Sequence, residues 1–344
     1  MTDEQSVNLA DFTTLRLGGR AAHFLEIADT DELVDTVATV GRDGVLVLGG
    51  GSNVVVADDG VDVPVVKVAT RGVEAVVSGS VVDLAVAAGE SWDGLVVRSV
   101  TEGWSGVEAL SGIPGLVGAT PIQNVGAYGQ EVSDTITAVD VFDRLTSRRH
   151  HMSPSDCEFG YRTSVLKSEP DRLVVLTVHF RLEKKGTSAP VRYSELARTL
   201  GRPTGESAPL GAVRDAVLEL RRSKGMVLDH ADHDTWSAGS FFTNPVVDSD
   251  DLLPTGAPRW VQRDSRIKTS AAWLIEQAGF DRGFGRDVGL GRVTLSTKHT
   301  LALTNRGGAT TEELLAVARL VREGVRERFG IALHPEPTLI GVHL

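Results

Sequence analysis

Val45-Leu46-Val47-Leu48-Gly49-Gly50-Gly51-Ser52-Asn53-Val54-Val55-Val56 places a glycine turn between two valine-rich runs, so it reads as strand, tight loop, strand. A dinucleotide-binding βαβ unit would instead run from a strand through G-x-G-x-x-G into a helix, and that pattern occurs nowhere in the chain. The Gly-Lys pair of a P-loop is also absent. Two readings of Gly49-Gly50-Gly51-Ser52-Asn53 stay open. It is a tight turn, or it is a cradle in which glycine N–H groups, the Ser52 hydroxyl and the Asn53 amide ring a pyrophosphate.

Working outward, Val65-Val66-Lys67-Val68 and residues 81–86 are further strand signals. Residues 31–40 carry Leu33, Val34, Val37 and Val40 at helical spacing, and a second helix follows Ser91 through Val96, Val97 and Val100. Residues 103–129 hold seven glycines in 27 positions, where ordinary usage of about 7 % would give two. They are interleaved with Ser111, Thr120, Gln123 and Asn124, so this segment reads as an ordered loop and a second backbone cradle. Two cradles in one domain suit a large ligand with a diphosphate. Strands resume at residues 136–142 and 173–182, and Glu183-Lys184-Lys185-Gly186-Thr187-Ser188 reads as the linker. The expected division is therefore 1–185 and 186–344. The second half is more helical, with Ser207 and Pro209 opening a helix, another over residues 269–278, and a third whose Thr310 and Glu313 form a capping box. Strands are expected at residues 293–295 and 300–303. The class is α+β.

The 344 residues carry 35 Lys and Arg against 46 Asp and Glu, a net charge of −11, which disfavours nucleic acid as a partner. The single Cys157 reads as a small buried side chain. The acidic, polar N-terminus and the lack of an ~18-residue apolar run point to a cytoplasmic protein with no membrane span. His230, Asp232, His233 and Asp234 match no metal-ligand spacing, His150-His151 reads as a solvated loop, and no metal is expected. Gly160-Tyr161-Arg162 fits a carboxylate clamp or a surface pair. Gly239-Ser240-Phe241-Phe242-Thr243-Asn244-Pro245 is no hydrolase elbow, but its hydroxyl is a candidate proton donor. Glu336 is held between Pro335 and Pro337.

In chain order, Leu15-Arg16-Leu17-Gly18-Gly19, Gly49-Gly50-Gly51-Ser52-Asn53, Gly112-Ile113-Pro114-Gly115, Gly118-Ala119-Thr120-Pro121-Ile122-Gln123-Asn124-Val125-Gly126-Ala127-Tyr128-Gly129, Gly160-Tyr161-Arg162, the Ser240 segment and Pro335-Glu336 closely resemble the UDP-N-acetylenolpyruvoylglucosamine reductases. The resemblance runs from about residue 11 to 341 and implies a two-lobed FAD-binding domain of the vanillyl-alcohol-oxidase-like type. It further implies a C-terminal α+β substrate domain whose last residues return to the FAD domain. FAD would bind non-covalently through Gly49, Gly50, Gly51, Ser52, Asn53, Ser111, Gly112, Ile113, Pro114, Gly115, Gly118, Ala119, Thr120, Gln123, Asn124, Gly126, Ala127 and Tyr128. Tyr161, Tyr193, Lys224 and Asn244 resemble substrate contacts, Tyr193 being the residue that the longer form of this family folds over its UDP-sugar.

The implied reaction uses NADPH to reduce an enolpyruvyl ether of a UDP-sugar in peptidoglycan precursor synthesis. Charge developing on the substrate carboxylate calls for Arg162 and Glu336, and a proton for the α-carbon calls for Ser240. Two departures from the family pattern stand out: a longer, more charged stretch over residues 229–236, and Pro337 after Glu336. A related FAD-dependent oxidase of a small alcohol or hydroxy acid would share the cradles without needing Ser240. A non-catalytic nucleotide-sugar binding protein would leave Arg162, Ser240 and Glu336 unexplained. The resemblance implies a monomer.

Overall fold

Strict alternation in the strand Val81–Ala87 buries Val82, Leu84 and Val86 on one face. Each meets a buried partner on the strand Leu173–Lys184, in the pairs Val82↔Leu182, Leu84↔Phe180 and Val86↔Val178. The helix Trp92–Thr101 covers this face, and its fully buried Trp92 lies 6.0 Å from the Phe180 ring. Full burial of a large apolar side chain contributes roughly 1.5–3 kcal/mol. The sheet continues antiparallel through Ile136–Asp143 to Arg148–Met152 on one side and Val73–Ser78 on the other. His150 and His151, expected in a loop, therefore sit on a strand. Their polar segment has no strand pattern of its own and is extended because it pairs with Ile136–Asp143.

The computed structural model describes residues 2–40, 44–262 and 264–344, and its contacts divide the chain into two units. The first comprises Met1–Val7, Ala21–Gly50 and Asp62–Ser223. Besides the antiparallel lobe it holds a sheet in the order Thr2–Asn8, Arg20–Ile27, Val65–Val68, Leu46–Leu48, the last three strands parallel. The expected helix connects two of them as Thr30–Val40, with Asp29 Oδ1 accepting from the Asp31 and Glu32 N–H groups and Leu33 and Val37 buried. Together the parallel and antiparallel lobes make up the two-lobed arrangement expected of the first domain. Cys157 is buried, and burial pushes its thiol up to about 11.

This unit ends at Ser223, not at the polar linker expected near residue 185. Residues 186–223 form the helices Ser194–Thr199 and Leu210–Ser223, whose Leu196, Ala197, Val213 and Val217 pack with Ala109. A two-pronged ion pair from Arg214 to Asp93, 2.7 and 2.8 Å, ties the longer helix to residues far earlier in the chain. Linker composition marks a polar turn, but it carries no information about where the following helices pack.

The second unit comprises Asn8–Arg20, Gly51–Val61 and Lys224–Leu344. The strand Thr338–Ile340 returns to pair in parallel with Val54–Val56, the strand that follows the glycine loop. Leu15, Leu17 and Val55 share a core with Phe241, Phe242, Leu274, Ile275, Leu314, Ala318, Val321 and Val325. The helix Thr311–Phe329 starts at the expected capping box. Thr310 Oγ1 accepts from Glu313 N–H at 3.2 Å and Glu313 Oε2 from Thr310 N–H at 2.9 Å, while Asp58 accepts from the N–H groups of Thr311 and Glu312. Ser270 caps the helix Ala271–Gln277. Val293–Leu295 pairs with Leu303–Asn305. The second of these strands lies later than expected because residues 296–302 form the turn, closed by Ser296 N–H donating to the Ala302 carbonyl.

Candidate active site

In the first unit, Gly50 approaches Gly115 so closely that a Cβ on Gly50 would stand 2.7 Å from the Gly115 Cα. Only glycine permits that backbone-to-backbone contact. Among the described residues, the N–H groups of Gly49 and Gly50 donate to no acceptor. Uncommitted main-chain donors with no side chains above them are what a pyrophosphate requires, so these residues fit the diphosphate of FAD. The loop opposite is braced from behind. Ser111 Oγ donates to the Glu108 carbonyl and Thr120 Oγ1 to the Val117 carbonyl, both hydroxyls being buried. Gly118 N–H donates to the Ala88 carbonyl and Ala119 N–H to the Leu116 carbonyl. Asn124, 1 % exposed and at φ +45°, donates through Nδ2 to Glu131 Oε2 and the Gly160 carbonyl and accepts from Ser133 N–H. Ser111, Thr120 and Asn124 thus fix the shape of the loop with their side chains. Ile113, Pro114 and Gln123 remain partly exposed along it.

Sequence reasoning missed a support under this loop. Asp93 Oδ1 accepts the Gly112 N–H at 2.6 Å while Arg214 grips the same carboxylate. Burial works to raise the Asp93 carboxyl, but Arg214 and the Gly112 N–H together hold it below the ordinary range. Asp93 lies on the helix Trp92–Thr101 and Arg214 is 121 residues further on. Each reads in sequence as a solvated helix residue, so no local signal could have found the pair.

Arg162 is also positioned by main chain. Its backbone is left-handed, at φ +55°, and its Nη2 donates to the Gly126 carbonyl at 2.6 Å, with Nη1 3.5 Å from the Asn124 carbonyl. The guanidinium lies 5.5 Å from the Tyr161 ring centroid. Ala127 pairs with Gln130 in the short hairpin that carries Gly126. Next to it, Tyr128 meets Tyr193 edge to face at 5.5 Å. Burial pushes the Tyr128 hydroxyl up to about 12, and partial burial followed by Glu195 raises that of Tyr193, so both act as neutral phenols. Tyr193 keeps 43 % of its surface exposed.

In the second unit, the Ser240 and Glu336 segments run side by side. Glu336 N–H donates to the Phe241 carbonyl at 2.9 Å, Thr243 N–H donates to the His334 carbonyl, and Phe242 bridges Pro335. Phe241 and Phe242 are buried edge to face at 5.1 Å and anchor the segment, leaving Ser240 partly exposed after the left-handed Gly239. Gly51, at φ +60°, backs onto Phe12, and after Ser52, Asn53 accepts Thr338 N–H at its carbonyl while its Nδ2 reaches the Glu336 carbonyl at 3.4 Å. Asn244 Oδ1 accepts Ala271 N–H at 2.9 Å, and Lys224 is half-buried at the start of the unit's C-terminal segment. The charged stretch before Ser240 is a brace. Asp234 binds Thr297 and Arg306, Asp232 binds Lys298, and the Trp236 ring lies between Arg16 and His233.

A glycine loop with uncommitted main-chain donors and a second, internally braced glycine-rich loop, on a parallel and an antiparallel lobe followed by an α+β unit, are the arrangement of an FAD-binding flavoprotein. An FAD-binding domain family model matches residues 21–151, and the model for the C-terminal domain of UDP-N-acetylenolpyruvoylglucosamine reductase matches residues 230–340. UDP-N-acetylenolpyruvoylglucosamine reductase of Thermobifida fusca is 55 % identical over 99 % of this chain and 98 % of its own length. That of Cutibacterium acnes is 53 % identical over 98 % and 90 %. The crystal structure of UDP-N-acetylenolpyruvylglucosamine reductase from Thermus caldophilus superposes with a TM-score of 0.67 at 27 % identity, covering 99 % of both chains. The chain belongs to the UDP-N-acetylenolpyruvoylglucosamine reductase family.

Proposed function

We propose that this chain is an FAD-dependent oxidoreductase that reduces the enolpyruvyl double bond of UDP-N-acetylenolpyruvoylglucosamine to UDP-N-acetylmuramate, with NADPH as donor, in peptidoglycan precursor synthesis. Family membership supports the substrate. The observation that carries the chemistry is the Glu336 N–H to Phe241 carbonyl bond, which ties the segment bearing Glu336 to the segment bearing Ser240. No helix among the described residues is long and apolar enough to cross a membrane, and we read the protein as a cytoplasmic monomer.

FAD, when bound, supplies hydride transfer from NADPH to the terminal methylene carbon of the enolpyruvyl ether. The charge left at the α-carbon spreads into the substrate carboxylate. Arg162 offers that carboxylate a permanent cation whose orientation is already set by the Gly126 and Asn124 carbonyls. Glu336, in its protonated form, would donate a hydrogen bond to the substrate carboxylate. Ser240 Oγ gives its proton to the α-carbon, a step open to a weak acid only because the acceptor is strongly basic, and is reprotonated from solvent. Gly49 to Asn53, Ser111 to Gly115, Gly118 to Thr120, Gln123, Asn124 and Gly126 to Tyr128 would hold the flavin nucleotide. Tyr161, Tyr193, Lys224 and Asn244 hold the UDP-sugar or the nicotinamide nucleotide.

Anaerobic visible spectra test this reading. The holoenzyme is expected to be yellow, to bleach with NADPH, and to recover its 450-nm-region band on addition of the enolpyruvyl UDP-sugar. Bleaching without recovery would overturn the substrate, and a protein that takes up no FAD would overturn the whole assignment.

A further inference from the structure

On the open face of the antiparallel sheet, three strands bring together side chains that the reductase chemistry does not use. Asp140 lies on Ile136–Asp143, His151 opposite it on Arg148–Met152, and His179 diagonally across on Leu173–Lys184. Diagonal neighbours on one sheet face are within reach of long side chains. His151 Nδ1 stands 2.6 Å from Asp140 Oδ1 and His179 Nε2 2.7 Å from Asp140 Oδ2, and the three ligand atoms all lie within 4.8 Å of one another. The imidazole rings meet edge to face at 5.3 Å. A cavity of about 350 Å³ opens over His151 and His179 and is also lined by Glu74 and Asp83. None of its lining residues is assigned above to flavin or substrate.

We propose that Asp140, His151 and His179 form a binding site for a divalent transition-metal cation of the Zn²⁺ type. Zinc takes imidazole nitrogen at ~2.0–2.1 Å and carboxylate oxygen at ~2.0–2.2 Å, so its tetrahedral ligands stand roughly 3.3–3.5 Å apart. The two observed His–Asp distances, 2.6 and 2.7 Å, would lengthen by less than about 1 Å to reach that spacing. Two imidazoles and one carboxylate leave the fourth position to water from the cavity, and the carboxylate of Glu74 adds negative potential to its lining, Asp83 being paired with Arg181. Imidazole ligands select Zn²⁺, Ni²⁺ or Cu²⁺ over Mg²⁺ and Ca²⁺. The metal would staple the edge strand Arg148–Met152 to its neighbour Ile136–Asp143 and to Leu173–Lys184 beyond it, a structural role separate from the reduction.

The test is equilibrium dialysis of chelator-treated, untagged holoenzyme against ZnCl₂ or MgCl₂, with bound metal quantified by atomic absorption. One equivalent of Zn²⁺ at micromolar free concentration, no Mg²⁺, and at least tenfold weaker Zn²⁺ binding in His151→Gln and in His179→Gln are expected, with reductase turnover unchanged in both. In the wild type, Zn²⁺ should also protect His151 and His179, and not His343, from diethylpyrocarbonate, as mapped by mass spectrometry. This readout is independent of whether the variants fold. No stoichiometric Zn²⁺ up to about 100 μM, unaltered binding in the two variants, or unprotected His151 and His179 would each overturn the proposal.

Discussion

Ser240 is the residue on which the proposed chemistry turns. Ser240→Ala removes the proton donor while leaving the Phe241 and Phe242 anchors in place, so NADPH should still bleach the flavin. Reoxidation by the enolpyruvyl substrate should slow by about 10²–10⁴-fold, the usual worth of a positioned acid. Stopped-flow absorbance of the two half-reactions separates these effects, and equal slowing of both would remove Ser240 from its role. Away from the site, Asp143 shows how a single buried carboxylate responds to pH. Hydrogen bonds from Arg172, and then from the Leu145 and Thr146 N–H groups, outweigh burial and lower its carboxyl to about 2. Because the folded value lies below the unfolded one near 3.9, the contribution is complete above about pH 4 and fades as pH falls toward 2. It amounts to about 2–3 kcal/mol, with roughly half gone by pH 3. Urea unfolding should therefore show wild type losing about 1 kcal/mol more than Asp143→Asn between pH 5 and pH 3.

At the scale of elements, the glycine loops are held by helices rather than by themselves. The helix Trp92–Thr101 carries Asp93 beneath Gly112, and the helix Leu210–Ser223 carries the Arg214 that orients it. Asp93→Ala leaves the Gly112 N–H without its acceptor and Arg214 without its partner, at about 1–3 kcal/mol each. FAD affinity should fall at least about tenfold, read as flavin fluorescence released on dilution. Unchanged affinity would show that the loop keeps its shape alone. Both helices were legible in the sequence, as were the strands at residues 65–68 and 81–86 and the Thr310 capping box, because each is written in local periodicity and terminal residues. The strand Arg148–Met152 was not, since a polar segment becomes a strand only through the neighbour it pairs with.

At the scale of the whole molecule, the two units are interleaved along the chain. Asn8–Arg20 and Gly51–Val61 belong with the C-terminal residues, where they supply Leu15, Leu17 and Val55 to the core and Val54–Val56 as partner of the last strand. Residues 186–344 expressed alone would lack those pieces and would include helices that pack in the first unit. Such a fragment should show no cooperative thermal transition by circular dichroism. A sharp transition would mean that the C-terminal core closes without them.

The sequence by itself determined the α+β class, the absence of a Rossmann turn, the two glycine loops and, through the order of its motifs, the family and its candidate residues Arg162, Ser240 and Glu336. These are properties of short windows and of their succession along the chain. Only the tertiary structure decided that Ser240 and Glu336 share an antiparallel edge, that Asp93 and Arg214 support Gly112, that Asp140, His151 and His179 meet on one sheet face, and that the first unit runs on to Ser223. The physical reason is the same in each case. Residues 11 to 121 positions apart become neighbours through strand register and helix packing, and those depend on which buried surfaces match rather than on any local pattern.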